Sequence, residues 1–216
     1  MNMDFDANKI KRIIFDIDYT LLIPNYYRET EFFEETVPNH GEYLTKNILK
    51  ILTEYENIYR QYDKNIFINH LNKYLSYEIG YDFIEKWFKF NAQLDNQDTT
   101  ATKETLEYLK KKKLELVVLS NWFTKPQKEK LKRVGLISYF DQIYGGDYYL
   151  KPYEASFLLA SHPHKLEECV MIGDNIKVDV EGAINTGMNA IYYTLGEEKE
   201  YSKNKIKNIK ELKKIF

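Results

Sequence analysis

Short apolar segments alternate with helical segments over most of the chain, and this alternation restricts the fold more than any other feature. The segments LELVVLS at 114–120 and CVMIGD at 169–174 are largely apolar, so both faces of these strands are expected to be buried. Strands of this kind, separated by helices, indicate a parallel sheet that helices cover on both sides. The predicted strands occupy residues 10–20, 114–120, 142–146, 169–174 and 189–194. The sequence therefore predicts an α/β fold with a Rossmann-like parallel sheet.

Residues 21–97 interrupt this alternation. They contain no convincing strand, but they repeat apolar residues at helical spacing, as in Leu44, Ile48 and Ile51. Many of the Tyr and Phe residues of the chain also lie here, and at helical spacing such residues are more typical of a core than of a cofactor site. We therefore predict a small α-helical bundle at 21–97, inserted as a second domain into a core that is built from residues 1–20 and 98–216.

The composition argues against several classes of partner. A formal net charge of −2 gives no sign of a nucleic-acid or anionic membrane surface. The apolar stretches are shorter than the roughly 18 residues that a membrane helix needs, and no secretory signal is visible. The single cysteine, Cys169, fits a reducing compartment. We expect a cytoplasmic monomer or homodimer that binds neither nucleic acid nor membrane.

Four of the predicted strands end in polar groups that are better suited to chemistry than to packing. Ligands of parallel sheets bind at the carboxyl ends of the strands, so these groups are expected to meet at one edge. The groups are Asp16, Asp18 and Thr20 at the end of the first strand, Ser120 and Asn121 at the end of the second, Lys151 after the third, and Asp174 at the end of the fourth, with Asp179 following it. The four carboxylates, the lysine and the Ser120 hydroxyl form a set that phosphoryl transfer requires.

The spacing of the first two carboxylates suggests that they have two different roles in one reaction. In an extended segment, residues i and i+2 point the same way, so Asp16 and Asp18 can reach one substrate. Asp16 is the candidate nucleophile, because a carboxylate can form an aspartyl-phosphate. Asp18 is the candidate general acid, which protonates the leaving oxygen and later takes a proton from water.

Attack by an anion on a phosphate requires a cation between them, and Mg²⁺ held by carboxylates would serve. The expected ligands are Asp16, Asp18, Asp174 and Asp179, the last of which could instead orient another ligand or form an ordinary salt bridge. Lys151 is expected to offset charge on the phosphoryl group as a catalytic residue. The expected substrate-binding residues are Thr20, Ser120 and Asn121.

These motifs resemble those of the haloacid dehalogenase-like (HAD) hydrolase superfamily. FDIDYT, LSN, KP and GDNIKVD follow one another in the family's order, between residue 11 and about residue 194. The helical segment after the first motif resembles the cap of the family's subfamily I. Family members that cleave carbon–halogen bonds lack the second Asp of the first motif, so Asp18 implies hydrolysis of a phosphate ester. Tyr19 departs from the family pattern, in which Gly is frequent.

The sequence thus predicts a Mg²⁺-dependent phosphatase that acts on a small phosphorylated metabolite through an aspartyl-phosphate on Asp16. The substrate is left open between a nucleoside monophosphate and a sugar or organic-acid phosphate. Contact with substrate is also left open for Tyr26, Arg28, Trp122 and Phe123. Two alternatives are a phosphotransferase or phosphomutase of the same superfamily, and a non-catalytic binding protein on the same fold.

Overall fold

The structure, a computed structural model, describes residues 3–37, 39–76, 78–94, 97–196 and 204–216. Within these residues the strands are β1 (Arg12–Phe15), β2 (Glu115–Leu119), β3 (Gln142–Tyr144), β4 (Cys169–Gly173), β5 (Asn189–Tyr193) and β6 (Lys205–Ile206). They form one parallel sheet in the order β3-β2-β1-β4-β5-β6. The predicted α/β fold is therefore confirmed. Strand β6 was not predicted, because two residues are too few to show a periodic pattern.

Both faces of the sheet are buried, as the continuous apolar strands predicted. Side chains alternate between the faces, so Ile13 and Phe15 of β1 pack on one side and Ile14 on the other. Main-chain pairing places Ile14 opposite both Val117 of β2 and Met171 of β4. Because β1 lies between β2 and β4, the residues that follow it enter the middle of the sheet edge.

Helices cover the two faces. Helices α5 (Thr100–Lys111) and α6 (Thr124–Arg133) pack on the first face together with the 3₁₀ helix Ile209–Lys214. Helices α7 (Glu154–Ser161) and α8 (Gly182–Asn185) pack on the second, and a π-helical segment, Ile176–Glu181, leads into α8. This arrangement leaves the carboxyl ends of the strands free to carry loops.

Several predicted boundaries differ from the structure. Strand β1 ends at Phe15, and the chain then turns rather than staying extended to residue 20. Tyr19 lies in that turn at φ 63°, in the left-handed region that favours glycine. In the segment 151–162, Pro152 favours the first turn of a helix, but α7 begins at Glu154. Helical spacing puts Ile184 on one face with Val180 and Ala183, which are buried, but Ile184 is exposed.

The segment 21–97, which we call the helical insert, forms most of a separate hydrophobic cluster, to which Phe123 and Leu150 also belong. Its helices are α1 (Glu29–Thr36), α2 (Gly41–Tyr59), α3 (Lys64–Asn72) and α4 (Tyr81–Gln93). Aromatic side chains such as Phe33, Tyr55, Phe67 and Trp87 are buried in it, as their helical spacing predicted. The division into two domains at residues 20 and 98 stays a prediction. No helix of the described residues combines the length and the apolar character needed to cross a bilayer.

Candidate active site

Lys151 lies at the centre of the carboxyl edge of the sheet. Its Nζ donates hydrogen bonds to Asp16 Oδ1 and to Asp179 Oδ1, each at 2.6 Å. All three residues are buried. The side chains therefore form a buried carboxylate–ammonium–carboxylate row that joins the end of β1 to the π-helical segment after β4.

Asp174 completes a group of three carboxylates. One oxygen each from Asp16, Asp174 and Asp179 lie within 4.8 Å of one another. Thr20 is buried beside them, and its hydroxyl donates to Asp174 Oδ1 at 3.5 Å. Clustered carboxylate oxygens are the ligands that Mg²⁺ prefers, so the residues present fit the predicted metal.

Asp179 reaches this group because residue 173 is a glycine. A Cβ atom on Gly173 would stand 2.2 Å from Asp179 Oδ2, which is closer than two atoms can approach. The backbone N–H of Asn175 donates to the same oxygen at 3.0 Å. The spacing of the GDNIKVD motif thus brings the Asp179 carboxylate back over the end of β4, where it contacts Lys151.

The charges of this site are not balanced. Burial raises the pKa of Asp16 to about 8, a rise to which Asp179 and Asp174 add and which the Lys151 ammonium opposes. Burial also raises the pKa of Asp174 to about 6, with the Asp179 carboxylate as the second cause. Burial lowers the pKa of Lys151, but Asp16 and Asp179 outweigh it and hold that pKa above its ordinary value. Three carboxylates facing one ammonium group favour the binding of a cation.

Asp18 lies outside this group of carboxylates. Its Oδ1 accepts a hydrogen bond from Lys130 Nζ at 2.8 Å, and its Oδ2 accepts one from Gln127 Nε2 at 2.8 Å. Gln127 also donates to Ser120 Oγ at 2.7 Å, and Lys130 also donates to the Tyr26 hydroxyl at 2.8 Å. The two acids of the first motif therefore face different lysines. A metal contact of Asp18 stays a prediction.

Lys130 and Gln127 are not among the site residues that the sequence predicts. Both are buried on α6 together with Leu131. Gln127, Lys130 and Leu131 are at positions i, i+3 and i+4 of the helix, so they share its buried face. A lysine and a glutamine on the buried face of a helix that follows a motif strand are the signal that could have found them.

Ser120 and Asn121 both lie at the end of β2, as predicted, but they have different partners. Ser120 is buried, and its Oγ also accepts from the Trp122 backbone N–H at 3.3 Å. Asn121 exchanges two hydrogen bonds with the backbone of Lys151, from Nδ2 to the carbonyl oxygen at 2.9 Å and from the backbone N–H to Oδ1 at 2.8 Å. Asn121 thus holds Lys151 in place, and its contact with substrate stays a prediction.

A cavity of about 480 Å³ lies between the helical insert and the carboxyl edge of the sheet. Tyr26 and Trp122 line it, whereas Phe123 is buried in the hydrophobic cluster of the insert. Arg28 does not line it, and its Nε lies 3.5 Å from Glu31 Oε2 on the surface. Of the four residues left open by the sequence, two therefore line the cavity.

Comparison with known proteins adds to this geometry. Ribulose-1,5-bisphosphate 5-phosphatase of Halopiger xanaduensis is 30% identical over 102 residues, which span 45% of this chain and 43% of that protein. Glyceraldehyde 3-phosphate phosphatase of Pyrococcus furiosus is 25% identical over 228 aligned positions, covering 96% of this chain and 93% of that protein. The crystal structure of a HAD phosphatase from Thermococcus onnurineus gives a TM-score of 0.68 at 25% identity, with 95% of this chain and 97% of that chain covered.

The family model described as haloacid dehalogenase-like hydrolase matches residues 13–193. The match begins in β1 and ends at the last residue of β5, so it contains all four motifs and the residues that the structure brings together. It covers well over half of the 216 residues. The chain therefore belongs to the haloacid dehalogenase-like hydrolase family.

Proposed function

We propose that the protein is a Mg²⁺-dependent phosphatase that hydrolyses a small phosphorylated metabolite through an aspartyl-phosphate on Asp16. The observation that carries the proposal is the buried group in which Lys151 joins Asp16 and Asp179 beside Asp174. Relatives whose names identify them as phosphatases of small phosphorylated compounds support the same reaction class. Mg²⁺-dependent release of inorganic phosphate from a phosphomonoester tests it.

The reaction has two steps. A carboxylate oxygen of Asp16 forms a bond to phosphorus as the bond to the leaving oxygen breaks, and Asp18 gives the leaving oxygen its proton. Water then attacks the aspartyl-phosphate, gives a proton to Asp18 and releases inorganic phosphate with the Asp16 carboxylate restored. Lys151 lies 2.6 Å from Asp16, so its ammonium group offsets charge on the phosphoryl group in both steps.

The carboxylates of Asp16 and Asp174 would hold the metal ion. Both oxygens of Asp179 already have partners, Lys151 Nζ and the Asn175 backbone N–H, so this residue orients the others. A bound Mg²⁺ supplies positive charge next to the transferred phosphoryl group. Asp18 serves the proton transfers, because Lys130 and Gln127 hold its two oxygens away from the group of three.

Replacing Asp174 with Asn tests the metal assignment. We expect the Mg²⁺ concentration that gives half-maximal activity to rise by about tenfold or more, because a neutral amide oxygen is a weaker ligand for a hard cation. Activity titrated against Mg²⁺ measures the shift. The control is Glu181→Gln, which changes an exposed carboxylate of the neighbouring π-helical segment and should leave the titration unchanged. An unshifted titration in Asp174→Asn would remove this residue from the metal site.

Replacing Lys130 with Met tests whether this lysine positions the general acid. The kcat/KM for an alkyl phosphate should fall by about ten- to a hundredfold, because Asp18 loses the partner of its Oδ1 and no longer meets the leaving oxygen. The kcat/KM for para-nitrophenyl phosphate should fall much less, since kcat/KM reports only the first step and nitrophenolate leaves without a proton. Lys128→Met, at an exposed position of the same helix, is the control. Equal losses on both esters would show that Lys130 only supports the fold.

A further inference from the structure

The walls of the cavity are mainly apolar and aromatic. The helical insert contributes Phe33, Ile48, Leu52 and Trp87, and the loop after β2 contributes Trp122. Flat aromatic side chains pack well against a flat apolar ligand, and the volume of about 480 Å³ is in the range of small-molecule sites. The cavity is therefore shaped for the body of an organic molecule rather than for water alone.

The cavity opens beside the reaction site. Asn121 lines it and is hydrogen-bonded to the backbone of Lys151 at 2.9 Å. Tyr26 also lines it, and its hydroxyl accepts from Lys130, the partner of Asp18. A phosphate ester that places its phosphorus at the carboxylates would therefore extend its leaving group into this space.

Two carboxylates provide the formal charge of the lining. Glu29 accepts hydrogen bonds from Trp87 Nε1 at 2.9 Å and from Asn91 Nδ2. Glu56 accepts one from the Tyr62 hydroxyl at 3.0 Å. All of these donors are neutral. Both glutamates are half-buried, so water screens their charge only in part.

No cationic side chain balances these glutamates within the cavity. None of the fifteen described residues that line it is Lys, Arg or His. Lys130 and Lys151 attract Glu29 and Glu56, respectively, from outside the lining, but both ammonium groups already face carboxylates of the reaction site. A ligand that brings a second negative charge would therefore meet two half-buried carboxylates without a cationic partner in the lining.

Resting on the proposed phosphatase activity, we propose that the leaving group of the substrate is a neutral or cationic alcohol with a flat apolar body. Monoesters that carry a second anionic group, whether a carboxylate or another phosphate, are rejected. A nucleoside 5′-monophosphate has the accepted chemistry, because its base is flat and uncharged. Sugar bisphosphates and phosphorylated sugar acids have the rejected chemistry.

Three esters that differ only in charge test this inference. They are benzyl phosphate, para-carboxybenzyl phosphate and para-aminomethylbenzyl phosphate, whose alcohols have the same body and similar leaving ability. We expect kcat/KM for the carboxylate ester to be lower than for benzyl phosphate by about tenfold or more, because like charges at a buried contact are costly. The aminomethyl ester should match or exceed benzyl phosphate.

The two glutamates can be tested directly. In a Glu29→Gln/Glu56→Gln variant, discrimination against the carboxylate ester should fall to within about threefold, because the amides retain hydrogen-bond acceptors but carry no charge. Glu35→Gln changes an exposed glutamate of the same helix as Glu29 and should keep the full discrimination. The comparison of the three esters with the unmodified protein decides the inference even if the double variant does not fold.

Binding of the leaving-group alcohols can be measured without turnover and provides a second test. The chain has two tryptophans, Trp87 and Trp122, and both line the cavity, so intrinsic fluorescence reports its occupancy. Benzyl alcohol and its aminomethyl analogue should change this fluorescence at lower concentrations than the carboxylate analogue.

The outcomes separate the inference from the function on which it rests. Hydrolysis of benzyl and carboxybenzyl phosphate at equal kcat/KM would overturn the inference and leave the phosphatase intact. Hydrolysis of none of the three esters, in folded protein with Mg²⁺, would overturn the proposed function and this inference with it. Discrimination that persists unchanged in the double variant would show that Glu29 and Glu56 are not its cause, and would overturn the inference as stated.

Discussion

Replacement of Asp16 by Asn is expected to lower kcat for phosphate release by more than about a thousandfold, because an amide cannot form the phosphorylated intermediate. The loss should appear with every phosphomonoester, since the nucleophile is common to all of them. Steady-state release of inorganic phosphate at saturating Mg²⁺ measures it. Turnover near that of the unmodified chain would rule out Asp16 as the nucleophile.

The same variant should fold normally, which separates loss of chemistry from loss of structure. Burial raises the pKa of Asp16 to about 8, so the folded site disfavours its charge and tolerates a neutral side chain of the same shape. The amide oxygen of Asn can still accept the hydrogen bond that Lys151 Nζ now gives to Oδ1. Thermal unfolding of the variant in the presence of a chelator should therefore show a midpoint no lower than that of the unmodified chain.

Replacement of Lys151 by Met is expected to have the largest effect on stability. It leaves Asp16 and Asp179 facing each other without the ammonium group that lies 2.6 Å from each. Removing one partner of a buried ion pair costs about 3–5 kcal/mol, and we expect the free energy of unfolding to fall by about that amount. Denaturant unfolding with a chelator present, so that no cation takes the place of the lysine, measures the loss.

The pH at which this stability is present follows from the pKa of Lys151. Because Asp16 and Asp179 raise that pKa above its ordinary value of 10.5, the folded chain holds the proton more tightly than the unfolded chain. The contribution is therefore complete at neutral pH and is lost only as the pH rises beyond 10.5 towards the folded value. Measurements at pH 9, above the Asp16 pKa of about 8 and below 10.5, report the effect with both carboxylates and the ammonium group charged.

Two further variants make the origin of the loss clear. Adding Asp179→Asn to Lys151→Met should recover part of the stability, because one of the two unpaired carboxylates is then neutral. Lys132→Met removes an exposed lysine of α6 and should change the free energy of unfolding by less than about 0.5 kcal/mol. No recovery in the double variant would mean that the loss arises from packing rather than from charge.

The sequence predicted the sheet well, because apolar strands leave a strong local pattern. The motif residues at the strand ends could be assigned to one edge for the same reason, and Asp16, Lys151, Asp174 and Asp179 do meet there. The end of β1 was predicted too late, since hydrophobicity resumes at Leu21 and conceals the turn around residue 19. The local sequence pattern therefore predicted which side chains lie at the site, but it did not predict where the backbone turns between Asp16 and Leu22.

The partners of Asp18 could not be predicted in the same way. Lys130 lies 112 positions along the chain from Asp18, and their contact depends on how α6 packs against the sheet. The charge of the cavity was also hidden, because Glu29 and Glu56 lie on different helices and become neighbours of one space only when the insert folds. Contacts that form when helices pack together involve residues far apart in the chain, so they produce no periodic pattern in the sequence.

The most direct test of the proposed function is phosphate release from a panel of phosphomonoesters, with and without Mg²⁺. The panel should include nucleoside monophosphates, sugar phosphates and the benzyl series, and Asp16→Asn should be run beside the unmodified chain. We predict release that depends on Mg²⁺, that is lost in Asp16→Asn and that is highest for esters without a second anion. No release from any ester, in protein shown to be folded, would contradict the phosphatase and favour a phosphotransferase or a binding protein on the same fold.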